Sequence, residues 1–534
     1  MIEPQNPPQG LNPTPLTPAG PPEPQVFETF DGIDTQTSRP GVPDSKAWWI
    51  DGFMPIGPRF LRTMWDVGAR IHFDDDAEVA FFEFANIGSD PYCIVIHVDG
   101  SIHAVNTISL SETLIAAAGT IQTPTRSTVG VAQYGAEYVI IVAQQTDGYF
   151  LWNGTTFYEP GDSAPGGGTM PTAIGGTAVE TYQGRVWIAD DESIIFSAPG
   201  EVADFATGSG GGSFSSTDSF LRVRFTQLKQ TNGFLYLIAD SSVNYISGVQ
   251  TSGSPPTTTF TNQNADPEVG TPWGSAVTVF NRNILIANTF GVHVSYGAAV
   301  TKISDALDGI YNTVLDFGSF VPSVAKAIVF GKKVFVLLLP IVDPYTGQQV
   351  NKLLMWDGKR WWASSQSVSL IYIQYQEINS VLTAWGTDGT SIYPLFQQPS
   401  ADFTKVVQSK LWDKPGSIQF TKASSRLWGM FRYYDDTSPE LRISIDNETG
   451  GNEQEFDLGP LDLIWTNNND DTIEWLNSTP AELVWTSAQE GIIILDPTAV
   501  AQNGVLTGLT VETEAADMAI IQLILRNEIG DYRG

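Results

Sequence analysis

The chain has 534 residues, 42% of them hydrophobic, and a formal net charge of −32 from 59 acidic and 27 basic side chains. That length allows two or three domains with full cores. The acidic balance argues against phosphate-neutralising nucleic-acid binding, which needs clustered Lys and Arg, though a wall of this sign lets DNA slide past without gripping it.

The single cysteine, Cys93, excludes a disulfide framework within the chain and reads as a small core residue. The opening MIEPQNPPQG has no basic n-region or apolar h-region, and no apolar run is long enough for a membrane-spanning helix, so the expectation is a protein made and folded in a cytoplasm. Residues 1–26 carry nine prolines in the first 24 positions and read as an extended, polyproline-like arm. Residues 27–68 form a lead-in. Pro40 and Pro43 keep it extended, Trp48, Trp49 and Phe53 offer apolar anchors, and Pro55, Gly57 and Pro58 force a turn. Residues 46–53 fall about one repeat before the first of the strands described next, so they are expected either to close that repeat or to add a partial blade.

Residues 69–400 hold a pattern that returns seven times. Apolar strands open at Cys93, Val139, Val186, Leu235, Ile284, Val334 and Val381, at spacings of 46, 47, 49, 49, 50 and 47 residues. Each is followed by a turn, Asp99-Gly100 or Asp388-Gly389 for example, and a second strand. Long helical periodicity is missing. A repeat of this length built of short strands is the sequence sign of a β-propeller, because one blade cannot cover its own faces and radial stacking buries both. The fold class expected is therefore all-β: a propeller of about seven blades, followed by a smaller β-sandwich-like domain at 401–534 where the repeat fades. The Gly/Ser-rich stretches 160–169 and 207–217 and the segment 251–261 read as loops. In the C-terminal part, Trp465, Trp475 and Trp485 recur every ten residues between polar turns. They are candidates for contact with a neighbouring subunit or a membrane surface.

No constellation for catalysis stands out. The acidic groups Asp74-Asp75-Asp76, Asp190-Asp191-Glu192 and Asp470-Asp471 sit in apparent turns, where Asp is favoured by local hydrogen bonds. A propeller glycosidase needs convergent carboxylates at its funnel. His97 and His103 lie on two arms of one hairpin and are placed to approach each other, but no Cys or Glu stands at a diagnostic metal spacing. We therefore expect no cofactor, no metal and no enzyme activity.

The phrase DGIDTQTSRP, the Trp-rich strand after it and DGFMPIGPRFLRTMWDVG resemble the start of tail nozzle, or hub, proteins of short-tailed bacteriophages. Residues carrying the likeness include Asp31, Gly32, Arg39, Pro40, Trp49, Gly52, Met54, Gly57, Arg62 and Gly68, within about 40 positions. The resemblance implies a structural protein of the virion tail, assembled in the host cytoplasm as a closed ring, six copies being the family expectation, around the DNA ejection channel. Its implied neighbours are adaptor or portal-side tail proteins, tail fibres or spikes, passing double-stranded DNA held without specific binding, and the host outer surface. Trp48, Trp49, Arg39 and the three C-terminal tryptophans are the interaction candidates. The alternatives are a carbohydrate-active propeller enzyme of the tail and a receptor-binding tail-tip module.

Overall fold

The apolar runs that repeat along the sequence are the second strands of four-stranded antiparallel sheets, buried on both faces as in Tyr138–Ala143 and Phe234–Ala239. The computed structural model describes residues 24–532 apart from 75–76, 216–223, 297–298, 312, 314–319, 414–419, 435–439, 449 and 458–490. Among these, seven such sheets follow one another along the chain. Their first strands are Val79–Ile87, Val129–Tyr134, Ala178–Tyr182, Phe225–Thr231, Val277–Phe280, Ser323–Val329 and Tyr372–Ile378. Each of these packs on the next, and the last returns to the first, so the seven form a circle around an axis. This is a β-propeller.

The first hairpins of the third to seventh sheets are closed tightly. Gln183-Gly184, Asn232-Gly233, Asn281-Arg282, Phe330-Gly331 and Asn379-Ser380 recur every 49 residues, with positive φ at both positions. That is the backbone of a type I′ turn, whose twist matches the strands it joins. Asn tolerates this region; Phe330, at φ 47°, does so only under constraint.

The circle is closed by a strand from outside the repeat. His72–Phe73 pairs with Ser391–Pro394 as the fourth strand of the seventh sheet, so the chain enters the propeller where it leaves it. Flanking bonds from Ile71 N–H to Ile392 O (2.9 Å) and Asp74 N–H to Thr390 O (3.0 Å) extend the seam. Residues 46–53 are neither the closing strand nor a partial blade. Their strand Trp49–Asp51 lies between Trp361–Ser364 of the sixth sheet and Lys405–Gln408. Their apolar side chains are buried against the C-terminal strands, which decides the placement.

That insertion makes the sixth sheet nine-stranded. It runs on through Lys405–Gln408, Gly508–Thr513, Glu440–Asn447 and Gly450–Asp457. A second sheet orders Phe53–Pro55, Leu61–Thr63, Met518–Tyr532, Phe420–Tyr433 and Gly491–Gly504, with Gln25–Phe27 also on Met518–Tyr532. Leu427, Phe431, Leu523 and Leu525 of this sheet share one apolar cluster with Leu441, Ile443, Leu509 and Val511 of the other. The C-terminal part is thus a β-sandwich, and the lead-in supplies strands to both of its layers.

Two stretches expected as loops are strands. Gly212–Ser215, inside 207–217, is the outer strand of the third sheet. Val243–Ser252 and Thr257–Asp266 form a hairpin across 251–261, where β-branched Thr outweighs the Ser/Pro content of the tip.

Candidate functional site

Residues of the lead-in gather where propeller and sandwich meet. Asp51, on the inserted strand, faces Lys352 of the sixth sheet. Lys352 Nζ lies 2.5 Å from Asp51 Oδ2 and 2.8 Å from Asp343 Oδ2, and donates to Ser365 Oγ at 2.8 Å. Burial would lower the ammonium's pKa, but the two carboxylates outweigh it and hold it above the ordinary lysine value. A cleft of about 750 Å³ opens beside this triad, lined by Gln349, Asn351, Gln366 and Ser367 as well as Lys352.

Arg62 makes a two-pronged contact with Asp517, Nε to Oδ1 at 2.9 Å and Nη2 to Oδ2 at 2.6 Å. Its guanidinium lies between the rings of Phe330 (4.3 Å) and Tyr434 (4.1 Å). Phe330 also meets Trp65 edge-on at 5.3 Å. These contacts pin the left-handed Phe330. Gly32, at φ 92°, lets the lead-in press on the sixth sheet; a Cβ there would stand 2.7 Å from Trp361 O.

The interaction candidates fall differently from expectation. Arg39 donates Nε to Ser409 O at 2.8 Å and Nη2 to Asp446, so its charge is spent inside the chain. Trp49 is fully buried in the core shared with the sandwich, and Trp48 is half-buried against the same core. Both therefore anchor the lead-in instead of facing outward. Trp465, Trp475 and Trp485 lie outside the described residues, as do Asp470 and Asp471.

A second cluster, on the propeller axis, was not anticipated from sequence. Glu83, Lys229, Gln227 and Gln374 from the first strands line a cavity of about 30 Å³, with Arg126 and Tyr372 beside them. Glu83 Oε2 accepts from Gln374 Nε2 at 2.6 Å and Oε1 from Phe84 N–H at 3.2 Å. Burial pushes Glu83 up to about 7, against the pull of Lys229. Glu180 is raised by burial as well, and Lys326 is lowered by it to about 8. The space holds about one water molecule.

The third cluster bears on the seam. His97 and His103 do meet, with ring centroids 4.7 Å apart, and His72 from the closing strand joins them at 2.9 Å, Nε2 to His97 Nε2. Glu112 touches both outer rings, at 3.2 Å from His72 Nδ1 and 2.6 Å from His103 Nδ1. Among the described residues no group of three His, Cys, Asp or Glu is arranged to hold a metal ion. Cys93 is a buried free thiol whose pKa burial raises further.

No protein-family model matches the chain, and no curated protein matches it. Similar solved structures include BBS1N in complex with ARL6DN, 7% identical over 65% of this chain and 97% of that one, with a TM-score of 0.36. The Cps50 (Swd1) β-propeller domain from Myceliophteria thermophila is 10% identical over 63% and 99%, with a TM-score of 0.35. The extracellular domain of BT4673 from B. thetaiotaomicron is 10% identical over 76% and 51%, with a TM-score of 0.39.

Proposed function

We propose that this chain is a structural component of a short bacteriophage tail, the nozzle, which assembles with copies of itself as a closed ring around the DNA ejection channel. The observation that carries the reading is the resemblance over DGIDTQTSRP and DGFMPIGPRFLRTMWDVG, whose charged and glycine residues build the propeller–sandwich joint. A motif that encodes the joint is one that relatives with the same two-part architecture would keep. Charge supports the same reading. Lys46, Arg62, Lys302, Lys352 and Lys410 each face a carboxylate within 3 Å, leaving an acidic exterior that repels phosphate. The cavity among Glu83, Gln227, Lys229 and Gln374 measures about 30 Å³, far too little for a duplex, which supports a DNA path between copies. Ring closure then implies a head-to-tail interface.

The carbohydrate-active alternative draws no support from the axial acids, because the space beside Glu83 is too small for a sugar ring. Labelling purified virions with antibody to this chain tests the proposal. Label on the tail axis is the expected result; label on the capsid wall or on the fibres overturns it.

A further inference from the structure

Five side chains at the closing seam form one hydrogen-bonded line. It runs from Glu112 Oε2 to His72 Nδ1 (3.2 Å), His72 Nε2 to His97 Nε2 (2.9 Å), His97 Nδ1 to Ser101 Oγ (3.1 Å) and Ser101 Oγ to Asp99 Oδ1 (2.7 Å). Each of these four links needs one hydrogen. Ionised carboxylates stand at both ends and can only accept, while each neutral imidazole brings one N–H and the serine one O–H. Three hydrogens must serve four links. If Ser101 donates to Asp99, His97 to Ser101 and His72 to Glu112, two bare lone pairs face each other at 2.9 Å, where His72 and His97 are 3% and 0% exposed. Any other distribution leaves a different link empty.

We infer that the line takes up one additional proton, shared between His72 and His97, so that closure of the propeller is proton-linked. His72 belongs to the closing strand, whereas His97, Ser101 and Glu112 belong to the first sheet and its turns. The shared proton therefore ties the strand that completes the last sheet to the first one. A metal ion does not suit the same gap. The two ring centroids are 5.1 Å apart, roughly the nitrogen separation plus a ring radius at each end, so the lone pairs lie along one line. Two nitrogens each about 2.1 Å from an ion and this close together would converge at an angle.

The charged and titratable groups facing the pair come from every neighbouring element. Glu112 stands on the outer strand of the first sheet and His103 on its third strand. Asp74, after the closing strand, lies 3.8 Å from His97 Nδ1, and Asp99 sits in the turn. Three carboxylates thus balance one shared positive charge. A second proton would set two cations 2.9 Å apart. Burial lowers both rings, and Glu112 with Asp74 at His72, and Asp74 with Asp99 at His97, oppose it.

The test is nitrogen NMR of ¹⁵N-histidine protein, in which the chain's four histidines give few signals. As the pH falls below the ordinary histidine value, the wild-type pair should take up one proton and read as one shared imidazolium. Glu112→Gln supplies the missing hydrogen from its amide, and Ser101→Ala removes two links with one hydrogen, leaving two links for the two ring N–H groups, so both variants should show two neutral rings over that range. Two neutral rings in the wild type, or a shared proton that persists in both variants, overturns the inference. Should the variants fold poorly, hydrogen exchange of the Ile71 and Asp74 amides in the wild type decides the matter. Protection is expected to change where the pair gains its proton, and protection independent of pH across the same range overturns the proposal.

Discussion

Lys352→Met removes the ammonium that Asp51 and Asp343 share. The three side chains are only 5%, 6% and 4% exposed, so water from the neighbouring cleft replaces the lost partner only in part. Asp343 keeps the N–H groups of Tyr345 and Thr346, and Asp51 keeps the Ser365 hydroxyl, which softens the loss. Breaking a buried ion pair costs about 3–5 kcal/mol, and here one cation serves two anions, so we expect about 4 kcal/mol. That is a large part of the ~5–15 kcal/mol that holds a typical domain folded. Guanidinium titration followed by tryptophan fluorescence measures it, read on the earliest transition because the joint spans two structural units. Adding Asp51→Asn and Asp343→Asn to the Met variant removes the stranded charges and should recover stability to within about 1 kcal/mol of wild type. A single variant within that margin of wild type, or a triple variant no better than the single, refutes the reasoning. The raised pKa sets the pH range: the contribution is complete below the ordinary lysine value and is lost only as the pH rises past it, so the titrations belong near neutrality.

Gly32→Ala forces a Cβ to within 2.7 Å of Trp361 O at φ 92° and should lower the same transition by about 2 kcal/mol; an unchanged midpoint argues against the close approach. Arg62→Lys keeps the charge but loses the fork onto Asp517 and the stacking between Phe330 and Tyr434, so about 2 kcal/mol should disappear; a neutral outcome means that charge alone matters there.

The propeller was legible because the second strands are apolar on both faces. Runs such as CIVIHV and VFVLLL stand out from any background. The first strands were missed for the opposite reason: Glu83, Glu180, Gln227, Lys326 and Gln374 break their apolar pattern as they turn toward the axis. A signal for them did exist in the Asn- and Gly-containing turns that recur every 49 residues. The closing strand is two residues long, too short for periodicity to register. Trp49 was read both as an anchor and as an outward contact, and its burial fits the anchor; Arg39 turns inward as well, because sequence shows an aromatic or a cation without showing which way it faces. The meeting of His97 with His103 followed from one hairpin. Its extension to His72, Ser101 and Glu112 depends on a pairing between opposite ends of the propeller, which local spacing does not encode.

The joint has a consequence for assembly. Trp49–Asp51 is hydrogen-bonded on both edges, so the ladder from the sixth sheet into the sandwich has no free segment to act as a hinge. Lys352 and Arg62 lock its two sides through buried or half-buried charges. Propeller and sandwich should then move as one body, and in a closed ring the angle between them fixes the rotation from one copy to the next. Weakening the joint should broaden that angle before it unfolds either part. Under the ring proposal, Lys352→Met is expected to give a spread of ring sizes by mass photometry at temperatures where each propeller remains folded, and the triple neutral variant should return a single size. If the Met variant stays uniform while its folding transition has dropped by several kcal/mol, the copy number is set at the interfaces between chains and the joint has no part in it.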